Sequence, residues 1–256
     1  MPTPDLADLS LALTRLRLAM ERLEPEPGTE IITDLPGLLL QRNPAKVSDF
    51  PSRNANFTQM LAPGEVDLNA VIGQYADRGI GKFFFWLDPL PGSEDLVKAL
   101  LAKGFQRFDG TTYPVLTRIP ETISLPPTEF ETRRLEPGEN IPGCYGDEAA
   151  RERFRATLGK PGFDHFAAFH EGRPVASARL FTHEGLSYLN DGGTLEEFRN
   201  RGAQSALIAA RVRRAAELGS RLCIVQTLAF LETSLGNLRR GGFELVYERV
   251  AYRYSF

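Results

Sequence analysis

Gly193-Thr194-Leu195-Glu196-Glu197-Phe198-Arg199-Asn200-Arg201-Gly202-Ala203-Gln204-Ser205-Ala206-Leu207 joins two periodicities. Upstream, Leu186 to Leu195 reads as a strand. Downstream, Leu207, Ile208, Val212, Ala215 and Leu218 recur at helical spacing, so a helix starts near Gly202. Small residues and two arginines, Arg199 and Arg201, stand between them. The first turn of a helix carries backbone N–H groups with no carbonyl partner and the positive end of the helix dipole. An anion placed there is held by the main chain itself. Gly202 allows close approach, and Arg199 and Arg201 add charge where a diphosphate would need it. The loop has neither G-x-G-x-x-G nor the Lys-Ser/Thr of a P-loop, which argues against NAD and ATP.

Working outward, two hairpins precede the loop. His165 to His170 turns at Glu171-Gly172 into Pro174 to Thr182, and Glu184-Gly185 turns again into Leu186. After the loop, the long helix ends at Gly219, a strand Leu222-Cys223-Ile224-Val225 follows, and a short helix reaches Gly241-Gly242. Phe243 then opens a final strand through Val250 and Tyr252. The first half has the same order. Leu68, Val71, Ile72 and Tyr75 share one helix face ending near Gly79, and Phe83 to Leu87 reads as a buried strand. A helix from Ser93-Glu94-Asp95-Leu96 ends at Gly104, and a strand runs through Tyr113, Val115 and Leu116. From helix-ending glycine to Gly-Phe the offset is 26 residues in the first half (Gly79 to Phe105) and 24 in the second (Gly219 to Phe243). Two copies of one α/β unit explain this. The Pro-rich tract Ile119 to Pro127 marks the seam and gives expected domains 1–126 and 127–256. Antiparallel strands followed by strand-helix-strand-helix-strand predict an α/β class with α+β character. Ahead of all this, Leu6, Leu9, Leu13, Leu16, Met20 and Leu23 specify an amphipathic helix that stops at Pro25. Its stripe is expected to pack on its own domain, with a homodimer seam as the alternative.

Of 256 residues, 42% are hydrophobic and 25% charged, enough apolar surface for a core, which excludes disordered and disulfide-scaffold classes. Thirty Lys and Arg against 33 Asp and Glu give a net charge of −3. Without a global positive field, neither nucleic acid nor an anionic membrane is an expected partner. No apolar run approaches the ~20 residues of a membrane helix, and the acidic start MPTPDLADL is unlike a signal peptide, so a cytoplasmic protein is expected. Cys144 and Cys223 stand far apart and read as reduced thiols. His165, His170 and His183 lack metal-ligand spacing, so no metal is expected. Arg211 falls inside the apolar face of its helix, where snorkelling is the ordinary explanation, and Arg211, Arg213, Arg214 and Arg221 form a basic set.

The loop resembles the GNAT superfamily of acyl-CoA-dependent N-acyltransferases. That family's diphosphate loop is Arg/Gln-x-x-Gly-x-Gly/Ala, matched here by Arg199 and Gly202, with Gln204 in the last place. Ser234-Leu235-Gly236-Asn237-Leu238-Arg239-Arg240-Gly241-Gly242-Phe243 is similar to the family's Ser-x-x-Asn followed by a Gly-Phe end. The resemblance covers the second half of the chain. The first half looks like a degenerate copy, as in tandem GNAT proteins, because Ala62-Pro63-Gly64-Glu65-Val66-Asp67 stands before its helix, acidic and without arginine. The implied fold is two tandem GNAT-like lobes, each a mixed, mostly antiparallel sheet flanked by helices.

The resemblance implies acetyl-CoA as cosubstrate and transfer of its acetyl group to an amine of a small molecule or peptide. Backbone groups of Arg201, Gly202, Ala203, Gln204 and Ser205 would bind the diphosphate, main chain near Thr194 and Leu195 would pair with the pantetheine arm, and Asn237 would hydrogen-bond the arm or order a water beside it. Attack on a thioester needs a neutral amine, a donor for the oxyanion and a proton for the leaving thiolate. Many members donate that proton from a tyrosine five residues before the Phe of the Gly-Phe end, where this chain has Leu238. Tyr188, with Asn190 and Asp191 on the same strand, and Tyr247 are the candidate catalytic residues. The acceptor pocket is expected between the lobes, near Phe163 to Phe166. A different class of answer is a non-catalytic acyl-CoA sensor or interaction module, supported by Leu238 and the degenerate first lobe.

Overall fold

The computed structural model describes residues 5–24, 27–61, 64–121, 128–139 and 148–256. The chain divides into one unit of residues 1–114 with 247–256 and another of residues 115–246. Among the described residues no helix is long and apolar enough to cross a membrane.

In the first unit, the leucine stripe builds α1 (Leu6–Leu23) and buries Leu9, Leu13 and Leu16 inside this unit. Strands β1 (Glu30–Ile32), β2 (Leu38–Arg42) and β3 (Phe57–Met60) follow, then α2 (Leu68–Ala76), β4 (Lys82–Leu87), α3 (Ser93–Ala102), the short β5 (Gln106–Arg107) and the start of β6 (Tyr113–Arg118). β1, β2 and β3 pair antiparallel, and β3 runs parallel to β4. The other edge of β4 is taken by the last strand of the chain, β12 (Glu244–Ser255), from Val250 opposite Leu87 to Ser255 opposite Lys82. Val71, Tyr75, Phe83, Phe85, Leu100 and Phe105 fill the core, with Tyr75 stacked on Phe83 at 3.8 Å between ring centroids.

In the second unit, β7 (Glu131–Arg134), β8 (Phe163–His170), β9 (Arg173–His183) and β10 (Leu186–Thr194) form an antiparallel meander. β10 runs parallel to β11 (Leu222–Gln226), and residues 115–118 of β6 pair antiparallel with β11. The long helix α5 (Ala203–Glu217) lies against β8, β9 and β10, and α6 (Glu232–Arg240) packs on α5. Sequence periodicity does not show α4 (Glu148–Ala156). Its sequence EAARERFRA supplies one large apolar residue, Phe154, which packs with Leu135, Ala167 and Phe169.

The repeat is written in the helix ends. Gly79 and Gly219 both take φ near the left-handed region (65° and 69°). In each case the following N–H reaches back to close the last turn, Ile80 to the Tyr75 carbonyl at 3.1 Å and Ser220 to the Ala215 carbonyl at 2.9 Å. Gly104 and Gly242 repeat the device, with Phe105 donating to the Leu100 carbonyl and Phe243 to the Leu238 carbonyl, both at 3.0 Å. The closing strands, however, are exchanged: β6 ends the first repeat yet residues 115–118 belong to the second unit, and residues 247–255 of β12 belong to the first. The expected boundary at 126/127 therefore differs from this division, because a strand pattern shows burial but not which neighbour a strand will pair with. The central part of the seam, residues 122–127, lies outside the described residues.

Burial of charge anchors the exchanged strand in the first unit. Arg249 of β12 is 0% exposed, and its Nε and Nη2 donate to Asp88 Oδ1 and Oδ2 at 2.5 and 2.8 Å. Ser10 Oγ and Tyr247 Oη also donate to Asp88 Oδ2. Burial pushes the Asp88 carboxyl up, but the Arg249 charge and these hydrogen bonds outweigh it and hold the group below the ordinary carboxylate range. Asp88→Ala leaves a buried cation without its anion and is expected to cost about 3–5 kcal/mol in urea unfolding followed by fluorescence of the single tryptophan, Trp86. A depressed native pKa stabilises in full above the unfolded value of about 3.9, and that contribution is lost as pH falls toward the native value. Asp88→Asn is expected to flatten that acid limb.

Candidate functional site

β10 and β11 stay paired only from Leu186/Leu222 to Tyr188/Ile224, although β10 continues to Thr194 and β11 to Gln226. Beyond Tyr188 a bulge redirects β10. Asn190 opposes Arg179 and Gly193 opposes Ser177, so Asp191 and Gly192 stand against a single residue of β9. Asp191 adopts φ 49°, and its carboxylate is ion-paired with the buried Arg179, which locks the bulge. A Cβ at Gly192 would come 2.8 Å from Gln204 Oε1, so a side chain there would displace the Gln204 carboxamide.

After Thr194 the chain makes a 3-10 turn, Glu196–Phe198, with Phe198 buried beneath it, and reaches Gly202 at φ 93°. Gly202 caps α5 with no side-chain hydrogen bond, and the first intrahelical bond runs from the Ala206 N–H to the Gly202 carbonyl at 3.0 Å. The N–H groups of Ala203, Gln204 and Ser205 precede that bond and have no partner within the helix. Gln204 ties this helix start to the strand end, its Nε2 donating to the Gly193 carbonyl at 2.8 Å and to Thr194 Oγ1 at 3.1 Å. The equivalent helix of the first unit is closed instead. Asp67 Oδ1 accepts from the N–H groups of Asn69 and Ala70 at 3.0 and 3.1 Å, placing a carboxylate where an anion would otherwise bind. Residues 62 and 63 of that acidic stretch lie outside the described residues.

The other expected site residues divide. Arg199 is exposed, donates a long 3.4 Å bond to the Thr194 carbonyl, and has no ion pair among the described residues. Arg201 is committed: its Nε and Nη2 clamp Glu129 at 2.8 and 2.7 Å, and its guanidinium lies over Phe198 and Phe130. That clamp holds the Glu129 carboxyl below its ordinary range, so the Arg201 charge is already balanced. The Leu195 N–H bonds the Val175 carbonyl of β9 at 2.9 Å and faces away from the parting. Asn237 is half-buried on α6, its Oδ1 accepting from Arg240 at 2.6 Å. Tyr188 is buried at the last paired position of β10, between Phe181 and Ile224 in register. Tyr247 belongs to the first unit, with its hydroxyl on Asp88. Leu238 packs in the second unit's core. Phe163 packs on Phe181, and Phe166 borders a surface cavity of about 350 Å³ with Arg133, Arg213 and Arg214.

Arg211 does not snorkel. It is 4% exposed, with Nε donating to the Leu207 carbonyl at 3.1 Å and Nη1 to the Arg179 and Asn190 carbonyls at 3.3 and 3.4 Å. Burial draws its pKa down to about 10, against the charge of Asp191. The sequence signal for this, an arginine inside an apolar helix face, was present; its direction was not. Arg179 carried no signal beyond its strand. Arg214 pairs with Asp164 and Glu217, and Arg221 donates to the Glu184 carbonyl. Cys223 is a free, buried thiol pushed up to about 12 by burial, and Cys144 lies outside the described residues.

No protein-family model matches the chain, and no curated protein matches it. Solved structures do. A GCN5-related N-acetyltransferase from Kribbella flavida superposes with a TM-score of 0.65 at 16% identity, over 96% of this chain and 95% of that one. A tandem GNAT protein from the clavulanic acid biosynthesis pathway gives 0.66 at 13% identity, over 97% and 93%. A GCN5-related N-acetyltransferase from Sphaerobacter thermophilus gives 0.58 at 14%, over 98% and 94%. Such identities speak to architecture, and by that measure this chain has the GNAT acetyltransferase fold in its tandem form.

Proposed function

We propose that the second unit binds acetyl-CoA and transfers the acetyl group to an amine of a small molecule or peptide. The observation that carries this is the parting of β10 from β11 after Tyr188 and Ile224, with an uncapped helix start tied by Gln204 to the same strand end. In this reading the first-turn amides of α5, from Gly202 to Ser205, hold the diphosphate, Arg199 supplies the unspent charge, and main chain at Thr194 pairs with the pantetheine arm. Asn237 meets the arm from α6. The first unit, with Asp67 closing its helix, serves as scaffold.

The chemistry needs the amine lone pair to attack the thioester carbonyl, the C–S bond to break, and a proton to reach the departing sulfur while the amine loses one. Leu238 offers no proton. Tyr188, where the two strands separate, is the proposed donor, with Asp191 and Arg179 fixing the strand that carries it. Tyr247 has no part in this scheme, its hydroxyl being engaged by Asp88 in the first unit.

A sensor without turnover is the second reading. Leu238, packed in the core where many members of the fold carry a proton-donating tyrosine, favours it.

Isothermal titration is expected to show acetyl-CoA binding to the wild type and at least a ~10-fold weaker Kd in Gly202→Asp, a loss of about 1.4 kcal/mol. Absence of binding, or unchanged binding in the variant, removes the proposal. Free-thiol release with an amine panel separates the two readings: turnover that falls at least ~10-fold in Tyr188→Phe supports transfer, whereas binding without release supports the sensor.

A further inference from the structure

Arg211 and Gln204 are seven positions apart on α5 and so share the helix face turned to the bulge of β10. Two of the three guanidinium nitrogens of Arg211 are satisfied by the carbonyls of Leu207, Arg179 and Asn190. The third, Nη2, makes no hydrogen bond among the described residues. It lies beside Gly192, where a Cβ would come 3.9 Å from Nη2 and 2.8 Å from Gln204 Oε1. Gly192 itself is exposed, at the place where β10 has left β11, so Nη2 stands next to an exposed glycine rather than another side chain's acceptor.

Charge at this point is lopsided. Arg179 and Arg211 are both 4% exposed, and Asp191 is the carboxylate whose charge acts on Arg211, yet it is ion-paired with Arg179. A guanidinium taken out of water without its own counter-ion is costly. Position 211 sits among Leu207, Ile208, Val212 and Ala215, where an apolar side chain would fill the helix face without that cost. With a pKa drawn down to about 10 by burial, Arg211 is still a cation at neutral pH. A planar group with one open NH2 beside a strand parting suits a carboxylate.

We propose that one reactant of the second unit carries a carboxylate that docks on Arg211 Nη2 over Gly192. The carboxylate sits either on the acyl group, making the donor a short dicarboxylic acyl-CoA, or on the amine acceptor, making it an amino acid. This rests on the acyl-transfer reading above and narrows its substrate class.

The test uses the full chain. Titrations with CoA, acetyl-CoA and succinyl-CoA compare the acyl groups, and thiol release from acetyl-CoA compares amino acids with their amides. A carboxylate on the acyl group predicts succinyl-CoA binding at least ~10-fold tighter than acetyl-CoA; one on the acceptor predicts kcat/KM for amino acids at least ~10-fold above that for the amides. Arg211→Met is expected to abolish whichever preference is seen. Gly192→Ala, which keeps the charge and fills the space in front of it, is expected to do the same, so the outcome does not hang on one buried substitution. Equal affinities together with equal turnover overturn the proposal while acyl transfer stands, and so does a preference that survives both variants. Failure of CoA itself to bind removes both.

Discussion

Three residue pairs hold β10 to β11, and the candidate site of the second unit depends on the pairing stopping there. A strand that leaves its neighbour exposes main-chain donors and acceptors that must find other partners. Several restraints keep this one from zipping shut. The bulge at Asp191 and Gly192 turns the strand, the Asp191–Arg179 ion pair fixes the turn, and Gln204 pulls the end of β10 toward the start of α5. Each restraint is local, but each also places one wall of the same space.

The two halves build the same unit and differ at one helix start. Both build a parallel strand pair around a helix, and both close two helices with the same glycine cap and the same backward hydrogen bond. At the start of the intervening helix they diverge. Asp67 fills the first-turn amides of α2 with its own carboxylate, whereas Gly202 leaves those of α5 open. Arginine follows the same division, with Arg199 before the open helix and Glu65 before the closed one. A single side chain at the N-cap thus decides whether the helix dipole is spent within the chain or offered to a ligand.

Helices and most strands were legible because a spacing of three and four, or a run such as Phe83-Phe84-Phe85, is a direct imprint of one buried face. The glycine start of α5 was legible for the same reason, since Gly202 acts there through local backbone. What could not be read was pairing and direction. Exchange of β6 and β12 depends on which sheet edge each strand meets, and neither hydrophobicity nor length encodes that. α4 hides because its charged sequence buries a single phenylalanine. Arg211 was seen as an oddity on an apolar face, but whether such a side chain reaches out to water or in to carbonyls depends on the strand behind it. That strand is bulged in a way that frees the Asn190 carbonyl to receive it.

Leu238 shows how folding and chemistry compete for one position. Its carbonyl accepts the bond that closes α6, and its side chain packs in the core; Leu100 does both at the matching place in the first half. Leucine is therefore what this repeat uses to finish a helix against a sheet, and a tyrosine here would have to turn its hydroxyl away from that core to reach a thioester. A chain that keeps leucine at both places has given the position to packing. In the proposed transfer, the proton for the leaving thiolate is supplied from the strand side of the opening, where Tyr188 ends the paired segment, or by water.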